Sequence, residues 1–313
     1  VSELRPLPLK PSLREKVWGA HRLSPFYEDR AADRPAVGES WLTNEETVVA
    51  SGDHAGATIA TLMERYGPAL LGDAHRPKRA TYFPLLTKFL FIEDKLSVQV
   101  HPDDRYAAEH EGGFGKTEMW YVVDARPGAA VAVGLTETFE RERLIEAAES
   151  GEIERSLRWV EVAAGDVVTV PAGLLHTMGP GMRICEIQQN SDLTYRFFDF
   201  GRPRELHVRK AADVIVQEPW PGLTPREGLT GEGTKRELLG ATEYFRAEKL
   251  SWREPIRYRT DRERFHVVIF LEGRGTFDGT EYGPGSTFLV PAHAAPFEAT
   301  PTTPTEAIIA YEG

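Results

Sequence analysis

The sequence has 313 residues, room for one large domain or two modest ones. Hydrophobic residues make up 41% and charged residues 27%, a mix that buries a core and excludes a disordered chain. A net charge of −11 argues against a general nucleic-acid binder, and the single cysteine, Cys185, excludes an internal disulfide and a cysteine-only metal site.

The opening VSELRPLPLKPS lacks the apolar core of a secretory leader, and no run of about 18 apolar residues follows. A soluble cytoplasmic protein without membrane contact is therefore expected. Ala60–Leu71 carries Leu62, Met63, Tyr66 and Leu70 at helical spacing. Short runs rich in Val, Ile, Phe and Tyr then follow: Phe89–Ile92, Ser97–Val100 and Met119–Val123. Glu137–Ser150 reads as an amphipathic helix with Phe139, Leu144, Ile145 and Ala148 on one side. Strands are expected again at Val167–Val170, Ile184–Gln188, His266–Leu271 and Thr287–Val290. Short strands bounded by Gly and Pro point to a mainly β chain, a sandwich or barrel with a few helices.

One motif recurs. Gly165–Gly173 reads GDVVTVPAG, and Gly285–His293 reads GSTFLVPAH. In each, a glycine opens a strand that Pro-Ala ends, so two related β units are expected. The glycine-rich segment Gly222–Gly240 is the expected linker between them.

Four residues could converge on a metal. In LSVQVHPDD, alternation along a strand puts Ser97, Gln99 and His101 on one face and Val98 and Val100 on the other, and Pro102 ends the run. Glu118 stands at the head of the apolar run in GKTEMWYVV, and His176 follows the Pro-Ala-Gly turn in VPAGLLHTMG. Two imidazoles, one carboxylate and one amide oxygen suit zinc or another first-row divalent ion. Lys88 lies inside the apolar run PLLTKFLFI, where a charge is costly without a partner.

The spacing from Gly165 through Pro171 and Gly173 to His176 resembles the second signature motif of the cupin barrel. The wider pattern resembles the short bacterial form of the type I mannose-6-phosphate isomerases. The segments that carry this are EKVWGAHRL, VGESWLT, PLLTKFLFIEDKLSVQVHPDDRYA, GKTEMWYVVDARPGA, VPAGLLHTMGPG and EIQQNSDLTYRFFDFGRPRELHVRKAADV, with HVVIFLEGRGTF and YGPGSTFLVPA near the end.

The resemblance implies two cupin-type β-barrels of jelly-roll form. Residues 1–237 would be a catalytic unit with small helical insertions, and 238–313 a second, metal-free unit. It implies one Zn²⁺ per chain, held by Gln99, His101, Glu118 and His176, and a small sugar phosphate as partner. Lys116, Arg196 and Glu186 take the catalytic places. Ser97, Lys88 and Asp192 take the substrate-binding ones. The implied reaction interconverts mannose 6-phosphate and fructose 6-phosphate through an enediol(ate). The sequence leaves the oligomeric state and the proton carrier open.

Two other functions fit the residues. His101, Glu118 and His176 also make the two-His-one-carboxylate set of non-haem Fe(II) oxygenases. A sugar-phosphate-binding cupin without catalysis would keep the same wall of cations.

Overall fold

The computed structural model describes residues 4–75, 82–229 and 234–313. Four antiparallel sheets pack into two sandwich-like barrels. In the first, a six-stranded sheet runs in the order Val167–Val170, Glu118–Ala125, Met182–Gln189, Leu85–Ile92, Val37–Thr43 and Ser12–Ala20. It faces a five-stranded sheet ordered Tyr195–Phe198, Val98–Val100, His176–Met178, Ala130–Leu135 and Leu157–Glu161. The second barrel sets eight strands against four, the larger sheet running from Glu227–Leu229 to Val48–Val49.

Alternation along the strands sorts the cores. Leu90, Trp120, Val122 and Ile184 pack with Val131, Val133 and Met178 between the first pair of sheets. Their sequence neighbours Phe89, Phe91, Met119, Tyr121, Cys185 and Ile187 point the other way. There they meet Phe245, Ala247, Val267, Ile269 and Ile308 of the eight-stranded sheet. The six-stranded sheet is therefore apolar on both faces at its far half and joins the two barrels. Gly240 stands at this junction, where a Cβ would come within 2.8 Å of Met119 Sδ. The second barrel is filled by aromatics, among them Trp252, Phe270, Phe277, Phe288 and Phe297.

Every strand expected from the sequence is present. The helices differ in extent. The stretch expected as one helix over Ala60–Leu71 is two, Ile59–Tyr66 and Pro68–Leu71, because Gly67 turns the chain at φ +47° ahead of Pro68. Thr58 caps the first by accepting from the Thr61 amide. The second amphipathic helix begins at Arg141 rather than Glu137 and stops at Gly151, φ +81°. With Val208–Val214 it covers the outer face of the five-stranded sheet.

The expected linker also differs. Its described parts include Glu227–Leu229 and Lys235–Ala241, which pair in the eight-stranded sheet, while residues 230–233 lie outside the described residues. Glycine content marks a turn between paired strands as readily as a tether. The N-terminal strand Leu7–Lys10 pairs with Thr287–Val290, so the chain begins in the second sheet system before building the first.

The two GxxxxxPA copies sit alike. Val170, before Pro171, pairs with Glu118, and Val290, before Pro291, pairs with His266. The barrel position that holds Glu118 in the first unit holds His266 in the second.

Candidate metal centre

Three of the four expected ligands come from the ends of different strands. Glu118 opens Glu118–Ala125, and His176 opens His176–Met178. His101 directly follows Val98–Val100, whose two valines pack beneath the outer helices and leave Gln99 on the opposite face. The Pro-Ala-Gly turn is locked to this strand end: the Gly173 amide donates to the His101 carbonyl at 2.8 Å. Gly173 takes φ +87°, and a Cβ there would strike Val216 Cγ2 at 2.7 Å, so the turn admits only glycine.

The ligand atoms of His101, Glu118 and His176 all lie within 4.8 Å of one another, and the three side chains are buried. His101 Nδ1 donates to the Leu193 carbonyl at 3.0 Å, and His176 Nδ1 to the Leu174 carbonyl at 2.8 Å. A carbonyl only accepts, so both protons sit on Nδ1 and both Nε2 lone pairs face inward. They face the Glu118 carboxylate at 3.5 Å and 3.4 Å.

Burial pushes both imidazoles towards the neutral form, His101 down to about 3. Acceptor thus faces acceptor in a dry place. His176 Nε2 has no hydrogen-bond partner among the described residues. A cation among the three groups would turn this conflict into coordination, and a backbone carbonyl on each outer imidazole nitrogen is the support metal-bound histidines use. The residues fit a divalent ion. Gln99, the fourth expected ligand, lies across the strand pair from His176 and lines a cavity together with Glu118.

That cavity is about 250 Å³ and opens beside the triad. Lys88, Ser97, Lys116, Glu186, Asp192 and Arg196, the remaining expected site residues, all line it.

A model of the type I phosphomannose isomerase catalytic domain matches residues 7–140. A mannose-6-phosphate isomerase of Streptococcus mutans is 37% identical over 282 residues, 86% of each chain. One from Bacillus subtilis is 35% identical, over 88% of this chain and 89% of its own. The crystal structure of the mannose 6-phosphate isomerase from Bacillus subtilis superposes with a TM-score of 0.88 at 30% identity, covering 98% of this chain and 99% of that one. The chain belongs to the type I mannose-6-phosphate isomerase family.

Within this isomerase fold the cavity splits into two charged regions. Beside the triad, Lys116 Nζ lies 2.9 Å from Glu118 Oε2, 3.2 Å from His101 Nε2 and 3.8 Å from Glu186 Oε1. Burial works against its charge, but Glu118 and Glu186 outweigh burial and hold it cationic. Burial likewise opposes the charge of Glu118, which Lys116 keeps ionised. Glu186 goes the other way: burial, then the charge of Glu118, pushes it up to about 8.

Lys88 is buried, as its apolar run required, and its partners are now visible. In register it stands between Trp41 and Glu186, its ammonium is 5.1 Å from the Trp41 ring, and its charge acts on Glu39. Burial opposes the charge of Glu39, yet Lys88 and Lys16 hold its pKa below the ordinary carboxylate range.

Some cavity residues went unassigned from the sequence. Lys16, Trp18 and Glu39 lie within EKVWGAHRL and VGESWLT, segments that carried the resemblance without a role. Irregular pairing of Ser12–Ala20 with Val37–Thr43 brings Lys16 and Trp18 to the rim. Thr194 and Arg204 also line the cavity, and nothing in the residue pattern marked Arg204. Trp120 is fully buried, and its Nε1 donates to Glu118 Oε1 at 3.0 Å.

Proposed function

We propose that this isomerase interconverts mannose 6-phosphate and fructose 6-phosphate in the cavity beside His101, Glu118 and His176, with Gln99 completing a zinc site. The observation that carries the reading is the pairing of an acceptor-rich buried triad with a wall bearing Lys16, Lys88, Arg196 and Arg204. An acidic protein needs such a local group of cations to hold a phosphate. Imidazole, carboxylate and amide donors suit zinc. When bound, the cation polarises the substrate oxygens on C1 and C2 and supports the charge that builds as C2 loses its proton.

The protein's own residues do the rest. The C2 proton leaves, C1 gains one, and a hydroxyl proton passes between O2 and O1, so no electron acceptor is needed. Glu186 is the proton carrier: its carboxyl lines the cavity 3.8 Å from Lys116 Nζ, and burial favours its protonated form. Lys116, kept cationic between two carboxylates, donates to the oxygen that gains charge. Ser97, Lys88 and Asp192 orient the sugar, and Arg196 takes the anionic end.

The catalytic unit in this reading is residues 1–237, apart from the strands Leu7–Lys10, Val48–Val49, Glu227–Leu229 and the start of Lys235–Ala241, which join the large sheet of the second barrel. Residues 238–313 form a second unit without metal, in which His266 replaces Glu118 and bonds the Tyr258 hydroxyl at 2.8 Å. A cytoplasmic place in carbohydrate metabolism accords with it. Among the described residues no helix is long and apolar enough to cross a membrane.

A coupled assay on mannose 6-phosphate, run with metal analysis before and after chelation, tests the proposal. Activity should vanish with the metal and return with zinc. Oxygen uptake with Fe(II) and no isomerisation would favour an oxygenase. Phosphate binding without turnover under Zn²⁺, Mn²⁺ or Co²⁺ would leave a binder.

A further inference from the structure

The loop after Tyr195–Phe198 holds a charged cluster that the metal site does not explain. The Asp199 side chain is 1% exposed, and two arginines grip it. Arg204 donates from Nε to Oδ2 at 2.6 Å and from Nη2 to Oδ1 at 2.7 Å. Arg202 donates from Nε to Oδ1 at 3.0 Å. Phe200 and Gly201 take φ +52° and +80°, which folds residues 202–204 back over Asp199. Phenylalanine seldom adopts such a backbone, and it persists where surrounding contacts over-determine it.

The two arginines differ in where they lead. Arg202 spends Nη2 on the Lys95 carbonyl at 2.7 Å and sits 3.6 Å from Asp94, away from the cavity. Arg204 lines the cavity with Ser97, Thr194 and Arg196. Arg196 donates from Nη1 to the Glu205 carbonyl at 2.7 Å, while its buried Nε has no hydrogen-bond partner among the described residues. Two guanidinium groups on one wall repel each other unless an anion lies before them or a carboxylate behind. Here the carboxylate is in place behind one of them.

We propose that Asp199 is a positioning residue that fixes Arg204 against the phosphate end of the substrate, beside Arg196 and Ser97. The proposal rests on the sugar-phosphate reading above. A carboxylate bonded to both Nε and Nη2 sets the plane of a guanidinium, so the remaining donors meet the anion without a rotamer search. Charge alone makes the opposite demand: a carboxylate beside an anion site weakens anion binding. Removing it tightens phosphate if charge rules and loosens it if position rules, so the sign decides.

The test uses zinc-loaded enzyme, KM and kcat on mannose 6-phosphate, and calorimetric titration with inorganic phosphate. Arg204→Gln and Asp199→Asn should each raise KM and the phosphate Kd roughly ten-fold, the loss of one charge-assisted contact, with a smaller fall in kcat. The double variant should be no worse than Arg204→Gln by more than about two-fold, because Asp199 acts through Arg204. Tighter phosphate in Asp199→Asn, or losses that multiply in the double variant, overturns the proposal. If Asp199→Asn does not fold, Asp199→Glu takes its place: charge is kept and reach is changed, and a wild-type KM and phosphate Kd would overturn the positioning role. Arg204→Gln that binds phosphate like wild type overturns it as well. If wild-type enzyme fails to isomerise mannose 6-phosphate, the sugar-phosphate reading falls, and the phosphate titrations still decide the roles of Arg204 and Asp199.

Discussion

Trp120→Phe separates ligand from support at the metal centre. Trp120 is fully buried, its ring meets the His176 ring edge-on at 5.4 Å, and its Nε1 holds Glu118 Oε1 at 3.0 Å. Phenylalanine keeps most of the ring and deletes the donor. Glu118 then keeps Lys116, 2.9 Å from its other oxygen. Outer partners of this kind are worth about 10–100-fold in metal affinity or activity. That is about 1.4–2.8 kcal/mol. Fold stability should fall by about 1–3 kcal/mol as well, since a buried carboxylate oxygen loses its hydrogen bond. Chelator competition gives the zinc Kd, and a zinc titration of activity gives the same constant by a second route. Zinc held by Trp120→Phe at wild-type affinity would refute the reasoning and leave Trp120 as packing only.

Other outcomes follow from the same geometry. His176→Ala should lose metal and turnover together, because an inward-facing ligand nitrogen is removed; full activity in metal-depleted His176→Ala refutes the ligand set. Lys116→Ala should keep its metal and lose at least about 10²-fold in kcat, the usual weight of a proton-transfer or charge-stabilising group. Loss of metal instead would make Lys116 a support of the site.

Acid should destabilise the second barrel through His266. Burial lowers its pKa from 6.5 to about 4 in the fold. The unfolded chain therefore takes the proton first as pH falls. Stability present above pH 6.5 is lost between about 6.5 and 4, by at most about 3 kcal/mol. Melting temperatures of wild type and His266→Gln should converge on acidification through that window; parallel curves refute the assignment.

Much of this was legible in the residues because its cause is local. Alternation in LSVQVHPDD put Gln99 and His101 opposite two valines, and the structure buries those valines beneath the outer helices. The two GxxxxxPA copies marked two related strands, and both pair at equivalent places. A lysine inside PLLTKFLFI demanded a partner, and Glu39 supplies one. Helix limits were less legible, since Gly67 divides one expected helix and Gly222–Gly240 reads as a tether while its described parts pair as strands.

By itself the sequence determined the class of the chain, several of its strands, and which residue types were available to hold a metal and an anion. Those follow from alternation and from the cost of burying charge, and both act over a few residues. Only the tertiary structure decided that Trp120 supports Glu118, that Lys116 stands between Glu118 and Glu186, and that Asp199 turns Arg204 towards the cavity. The first two depend on strand register across the barrel, and the third on two successive positive φ angles. Direction in space is set there by pairing and by a turn that no spacing of residue types announces.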